Sequence, residues 1–203
     1  MKTNQLEKVE KILVVIDEIN GFMKEGPLAD SSIQRIIPET IALIEQFMKN
    51  ADPIITVRDA HTINDAEFQN YPIHCLKGSV ESELIAPLKK YQDYYLDFEK
   101  QTTDALSVLE LKKLFIRMIH LKKIVVTGCC TDICVKDFLY SVRDMMRKLN
   151  RDVTLVISEQ SVDTFQLPDH DKEMINQAMF KEFKENGIQV VKRYERRTYN
   201  GEK

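Results

Sequence analysis

Two short apolar runs, KILVVI at 11–16 and KIVVTG at 123–128, constrain the fold of this chain more than any other feature. A strand with one face in water alternates apolar and polar residues, whereas a strand covered on both faces reads as an unbroken apolar run. Four more β-rich runs have the same scale: PIITV (53–57), DYYLDF (93–98), VTLVIS (153–158) and IQVVK (188–192). Helical periods fall between them, at 36–50, 107–120, 135–149 and 174–187. In the first, Ile41, Ile44 and Met48 keep one face. In the third, Val135, Phe138, Leu139, Val142, Met145, Met146 and Leu149 form one stripe. Gly187 suits the end of the last helix. This alternation predicts an α/β fold: one domain over residues 1–203, a doubly wound, Rossmann-like, mainly parallel six-stranded sheet with helices on both faces. The polar tail 194–203 is expected to be peripheral.

Partners are bounded by charge and hydropathy. The net charge of −3 offers no basic field for nucleic acid. No apolar run approaches the roughly 20 residues of a membrane span. The first residues, MKTNQLEKVE, lack the apolar segment of a secretory signal. The expectation is a cytoplasmic protein with reduced thiols, no membrane and no nucleic acid.

Ligands of doubly wound sheets bind beyond the carboxyl ends of the strands, so residues just after strands carry the chemistry. Asp17 follows the first strand, Arg58, Asp59 and His61 the second, Lys100 the third, and GCCTDIC (128–134) the fourth. Thr131 and Asp132 are good helix N-cap types, which puts Cys134 in a first helical turn, where free amides and the helix dipole favour a thiolate. Cys134 also stands one position off the apolar stripe, so it need not enter the core. The residues alone leave three readings open: a nucleophile, small buried hydrophobes, or a redox or metal cluster, the last weakened by the absence of a CxxC spacing. In DAHTINDAEFQNYPIHC (59–75), Asp59, His61 and His74 could meet at one point, a set suited to Zn²⁺, Fe²⁺ or Mn²⁺.

Together these segments resemble a family. ILVVIDEINGF, FEKQTTDAL and VVTGCCTDICV are similar to the three motifs of the isochorismatase-like cysteine hydrolases, over about residues 11–193. The resemblance implies a triad of Asp17 as proton carrier, Lys100, and Cys134 as nucleophile. It also implies a cis peptide at Cys129–Cys130 and an oxyanion hole made by the amides of Cys130 and Cys134. The chain departs from the pattern at Ile19, where Gln is common, and at TTDA in place of Tyr-Ser-Ala-Phe. Asp59-Ala60-His61 and Tyr71-Pro72-Ile73-His74-Cys75 resemble the metal segment of the nicotinamidase branch, with Tyr for Trp. That resemblance implies a divalent metal, zinc first with iron or manganese as alternatives, on Asp59, His61 and His74, with Glu67 as an additional candidate ligand. Phe22 and Tyr71 are read as ring contacts of a substrate or as core aromatics. The implied activity is hydrolysis of a small amide partner, nicotinamide to nicotinate and ammonia, by a homo-oligomer. Another small amide or carbamoyl compound, or a non-catalytic binding protein on this fold, are the alternatives.

Overall fold

The structure is a computed structural model that describes residues 6–194. Six strands form one all-parallel sheet: β1 (Lys11–Ile16), β2 (Ile54–Asp59), β3 (Tyr95–Lys100), β4 (Lys123–Cys129), β5 (Thr154–Asp163) and β6 (Gln189–Val191), in the order β3-β2-β1-β4-β5-β6. Four long helices cover it: α1 (Ile37–Lys49), α2 (Leu109–Arg117), α3 (Cys134–Lys148) and α4 (Lys172–Glu185).

The unbroken apolar runs divide between two cores. Ile12, Val14, Ile16, Ile124 and Val126 join Leu111, Phe115, Phe138, Leu139 and Phe183 of α2, α3 and α4. Leu13, Val15 and Val125 join Leu43, Ile44 and Phe47 of α1 on the other face. Alternate residues of one strand thus feed opposite cores, which is why the runs contain no polar alternation.

Several boundaries differ from the sequence reading. β3 starts at Tyr95 because Gln92–Tyr94 form a 3₁₀ turn, and it runs through Lys100, so this lysine ends the strand rather than following it. β5 continues to Asp163, because a register shift between Val126 and Gly128 lets Val162 and Asp163 pair with Gly128 and Cys129. The buried face of α1 is centred on Thr40, Leu43, Ile44 and Phe47 rather than on Ile41 and Met48. Leu149 drops out of the α3 stripe, being the exposed C-cap. Gly187 lies just past α4 at φ +81°, the left-handed position that favours glycine. Of the tail expected to be peripheral, residues 195–203 lie outside the described residues.

β1 and β4 are neighbours at the centre of the order, where the connections reverse direction, so their carboxyl ends flank the crevice in which such sheets bind ligands. Gly128 makes their approach possible. A Cβ there would lie 1.9 Å from the Ile16 carbonyl oxygen.

Candidate active site

The chain leaves β1 with Asp17 in the left-handed region at φ 53°, its amide bonded to the Val57 carbonyl at 2.9 Å. An Asp tolerates this region better than most residues. Its carboxylate faces the end of β2, where Oδ1 accepts from the Asp59 amide at 2.9 Å. Lys100, at the end of β3 and 1% exposed, reaches across beneath both acids. Its Nζ lies 2.8 Å from Asp17 Oδ2, donates to Asp59 Oδ1, and stands 3.6 Å from Cys134 Sγ.

Ionisation follows from this burial. Burial and the charge of Asp59 push Asp17 up to about 7, against the pull of Lys100. Burial also opposes the charge of Asp59, but Lys100, His61 and His74 together outweigh it and hold that carboxyl well below its usual range. Burial would lower Lys100, yet the paired carboxylates keep it cationic.

The cysteine turn after β4 corrects two expectations. Ile133, not Thr131 or Asp132, is the N-cap of α3, and no side chain caps it. The Asp132 carboxylate turns instead to Thr164 and His170. Cys134 belongs to the core cluster with Val135 and Phe138 and is 6% exposed at the cavity floor, so the off-stripe position does not keep it out of the core. Burial holds its thiol well above the ordinary value despite Lys100, the reverse of a resting thiolate. The Cys129–Cys130 peptide is cis. Among the described residues, the amides of Cys130 and Cys134 have no backbone acceptor. The four cysteines are all free, so no disulfide joins the cluster.

A second constellation adjoins the first. Asp59, His61, Glu67 and His74 bring one ligand atom each within 4.8 Å of one another. Both imidazoles are oriented from behind: His61 Nδ1 meets Asp65 Oδ2 at 3.0 Å, and His74 Nδ1 meets the Pro72 carbonyl at 2.8 Å. The Nε2 atoms are thereby turned toward Asp59 Oδ2, at 3.5 and 3.8 Å. Among the described residues His61 Nε2 is buried with no hydrogen-bond partner. Buried polar nitrogens rarely stay unpaired, and imidazoles backed at Nδ1 with Nε2 turned to a common point are how proteins present metal ligands. The donors therefore fit a divalent ion. Arg58 does not join them; it lies within β2 and pairs with Asp97 and Glu99.

Members of both constellations border one cavity of about 210 Å³, with Asp17, Lys100 and His61 lying outside its lining. Asp59, Glu67, His74, Cys130 and Cys134 line it together with Phe22, Tyr71, Leu28, Ile133, Phe165 and Leu167. Phe22 and Tyr71 face His74 at ring distances of 5.8 and 6.2 Å. The structure brings residues from the ends of β1, β2, β3 and β4 together. The sequence reading missed the second wall, Phe165–Leu167, although this segment follows β5 and obeys the same strand-end rule. Asp65 and Pro72, which back the histidines, carry no periodic signal.

The fold and this strand-end constellation define a class, and comparison with known proteins agrees: the isochorismatase domain model matches residues 11–191. The chain belongs to the isochorismatase family of hydrolases. Among curated proteins it is similar to Nicotinamidase 1 of Arabidopsis thaliana, with 29% identity over 179 residues, 78% of this chain and 71% of that protein. Among solved structures, N-carbamoylsarcosine amidase from Thermoplasma acidophilum superposes with a TM-score of 0.73 at 21% identity, covering 93% of this chain and 99% of that one. The pyrazinamidase of Pyrococcus horikoshii in complex with zinc gives 0.74 at 21%, covering 91% and 99%.

Proposed function

We propose that this protein is a metal-assisted cysteine amidase acting on an uncharged ring carboxamide, nicotinamide in the first instance. The observation that carries the reading is that Cys134, with the Lys100–Asp17 pair behind it, shares one small cavity with Asp59, Glu67 and His74 of the four-donor set. Its lining favours a neutral ring over a carbamoyl acid. Phe22, Tyr71 and Phe165 offer aromatic faces, and among the described residues no Lys or Arg lines it to pair with a substrate carboxylate. A buried, unpaired carboxylate is strongly disfavoured. The similarity to a plant nicotinamidase points the same way.

In this mechanism Asp17 takes the Cys134 proton as the sulfur attacks the amide carbon. The amides of Cys130 and Cys134 donate to the oxyanion. Lys100 holds Asp17 in place and offsets the charge gathering on the sulfur. Asp17 passes its proton to the departing ammonia, leaving a thioester on Cys134. A water molecule then gives a proton to Asp17 and attacks the thioester, and the acid leaves with the thiol restored. Asp59, His61, Glu67 and His74 would hold a divalent ion, zinc first, which supplies a Lewis-acidic anchor for a ring nitrogen. Phe22 and Tyr71 flank the ring. The same reading places the enzyme in the cytoplasm, where its thiols stay reduced, as a homo-oligomer.

Ammonia release from nicotinamide, pyrazinamide and a carbamoyl amino acid, with bound metal measured, tests this. The expected result is turnover of the two ring amides by wild type, none of the carbamoyl acid, and none of any by a metal-replete Cys134→Ala variant. Metal-replete wild type inert toward nicotinamide overturns the substrate assignment.

A further inference from the structure

The cavity wall at Phe165–Leu167 belongs to an irregular segment between β5 and α4, and one histidine ties it to the nucleophile turn. His170 Nε2 lies 2.9 Å from Asp132 Oδ2, two residues before Cys134. Its Nδ1 lies 3.0 Å from the Phe165 carbonyl oxygen. Its ring stacks on the Phe165 ring, with centroids 4.0 Å apart and planes 10° apart. The backbones of Leu167 and His170 bond to each other in both directions at 3.1 Å, which closes the segment into a tight turn. From the far side, Asp30 Oδ2 accepts from the Gln166 amide at 2.8 Å. The other Asp132 oxygen accepts from Thr164 Oγ1 at 2.6 Å.

Both ring nitrogens of His170 face acceptors. A neutral imidazole carries one donor and one lone pair, so only the imidazolium satisfies both. Burial works against the charge, but the Asp132 carboxylate and the Phe165 carbonyl outweigh it and hold the imidazolium above its ordinary range. Asp132 is the charge facing the ring from the nucleophile turn, and Asp30 is the charge on the segment opposite. Asp169, Asp171 and Lys172 are its neighbours in the chain. Asp171 caps α4 by accepting from the Met174 amide, and Lys172 is paired with Asp163 at 3.2 Å.

We propose that His170 is a positioning residue: by bridging Asp132 to Phe165 it clamps the aromatic wall against the turn that carries Cys134, and so sets how tightly the cavity holds a ring. This rests on the reading that the cavity is the substrate site. Because the clamp needs the cationic ring, it is closed at low pH and loosens as pH rises through the His170 midpoint.

Three measurements on the metal-loaded protein test this. First, amide hydrogen exchange at one pH should show segment 164–171 losing protection in His170→Ala while β1 and β4 keep theirs. His170→Gln, which keeps a donor toward Asp132, should recover part of it. Second, the His170 ring resonance, assigned by its loss in His170→Ala, should titrate with a midpoint above the ordinary value of about 6.5. Third, KM for nicotinamide should rise about tenfold in His170→Ala with kcat little changed, the loss expected for a hydrogen bond to a charged group. The wild-type KM should climb toward that value with pH while the variant's stays flat. Unchanged protection, a midpoint at or below the ordinary value, or a loss of kcat with KM intact each overturns the clamp. Wild type inert toward nicotinamide would overturn the activity instead, with the exchange and titration results still deciding the clamp.

Discussion

Lys100 shows what a single buried charge does here. Its ammonium sits between two buried carboxylates, Asp17 and Asp59, and beside the Cys134 thiol. Removing one partner from such a set leaves charges uncompensated in a medium that solvates them poorly. Lys100→Met is therefore expected to destabilise the metal-free protein by about 3–5 kcal/mol in chemical denaturation, and to abolish any activity that depends on Cys134. Wild-type stability in that variant would mean that the lysine does not hold the acids. At this scale the sequence was informative about identity and silent about state. Asp17, Lys100 and Cys134 stood out because they end or follow strands and match family motifs. That burial pushes the thiol up was not legible, since the helix-start argument sees the local dipole but not the desolvation and the two neighbouring acids that act against Lys100. His170 was equally hidden, because its partners Asp132 and Phe165 come from different segments.

Among the elements, the β1–β4 contact depends most sharply on one position. Gly128 pairs with Ile16 and lies at φ +127°, and an added Cβ would collide with backbone rather than with a side chain that could move. Gly128→Ala should cost at least roughly 3 kcal/mol, combining overpacking with a backbone region closed to alanine. Gly187→Ala is the control: its φ is +81° but nothing lies within 4 Å, so about 1–2 kcal/mol is expected from the left-handed conformation alone. Equal losses in urea titrations would show that the close approach does not matter. Strand and helix existence was legible because each has its own period. Ends were not, since they depend on neighbours: β5 gains its last residues only through the register shift against β4, and α3 takes Ile133 as its N-cap although better capping residues precede it.

Over the whole molecule, burial also makes stability depend on pH in an unusual direction. Glu18, next to Asp17 but facing α1, is buried and accepts from Thr40 and Thr127 at 2.7 and 3.0 Å. Burial raises it to about 8 from 4.5, against those two hydrogen bonds. Below the unfolded value the acid is protonated in both states and imposes no penalty. Between 4.5 and about 8 the unfolded chain loses the proton that the folded one keeps, so stability falls as pH rises and then levels off. Glu18→Gln removes this group, so its stability relative to wild type should grow by about 1.4 kcal/mol per pH unit across that window. A pH-independent difference would show that Glu18 ionises freely in the fold. By itself the sequence determined the layered parallel sheet and the residues that would stand at its strand ends, because both are written in periods of a few residues that local geometry must obey. Only the tertiary structure decided which of those residues meet, which second wall closes the cavity and which groups hold their protons. Those depend on strand order and on the removal of water, and both arise only when segments distant in sequence pack together.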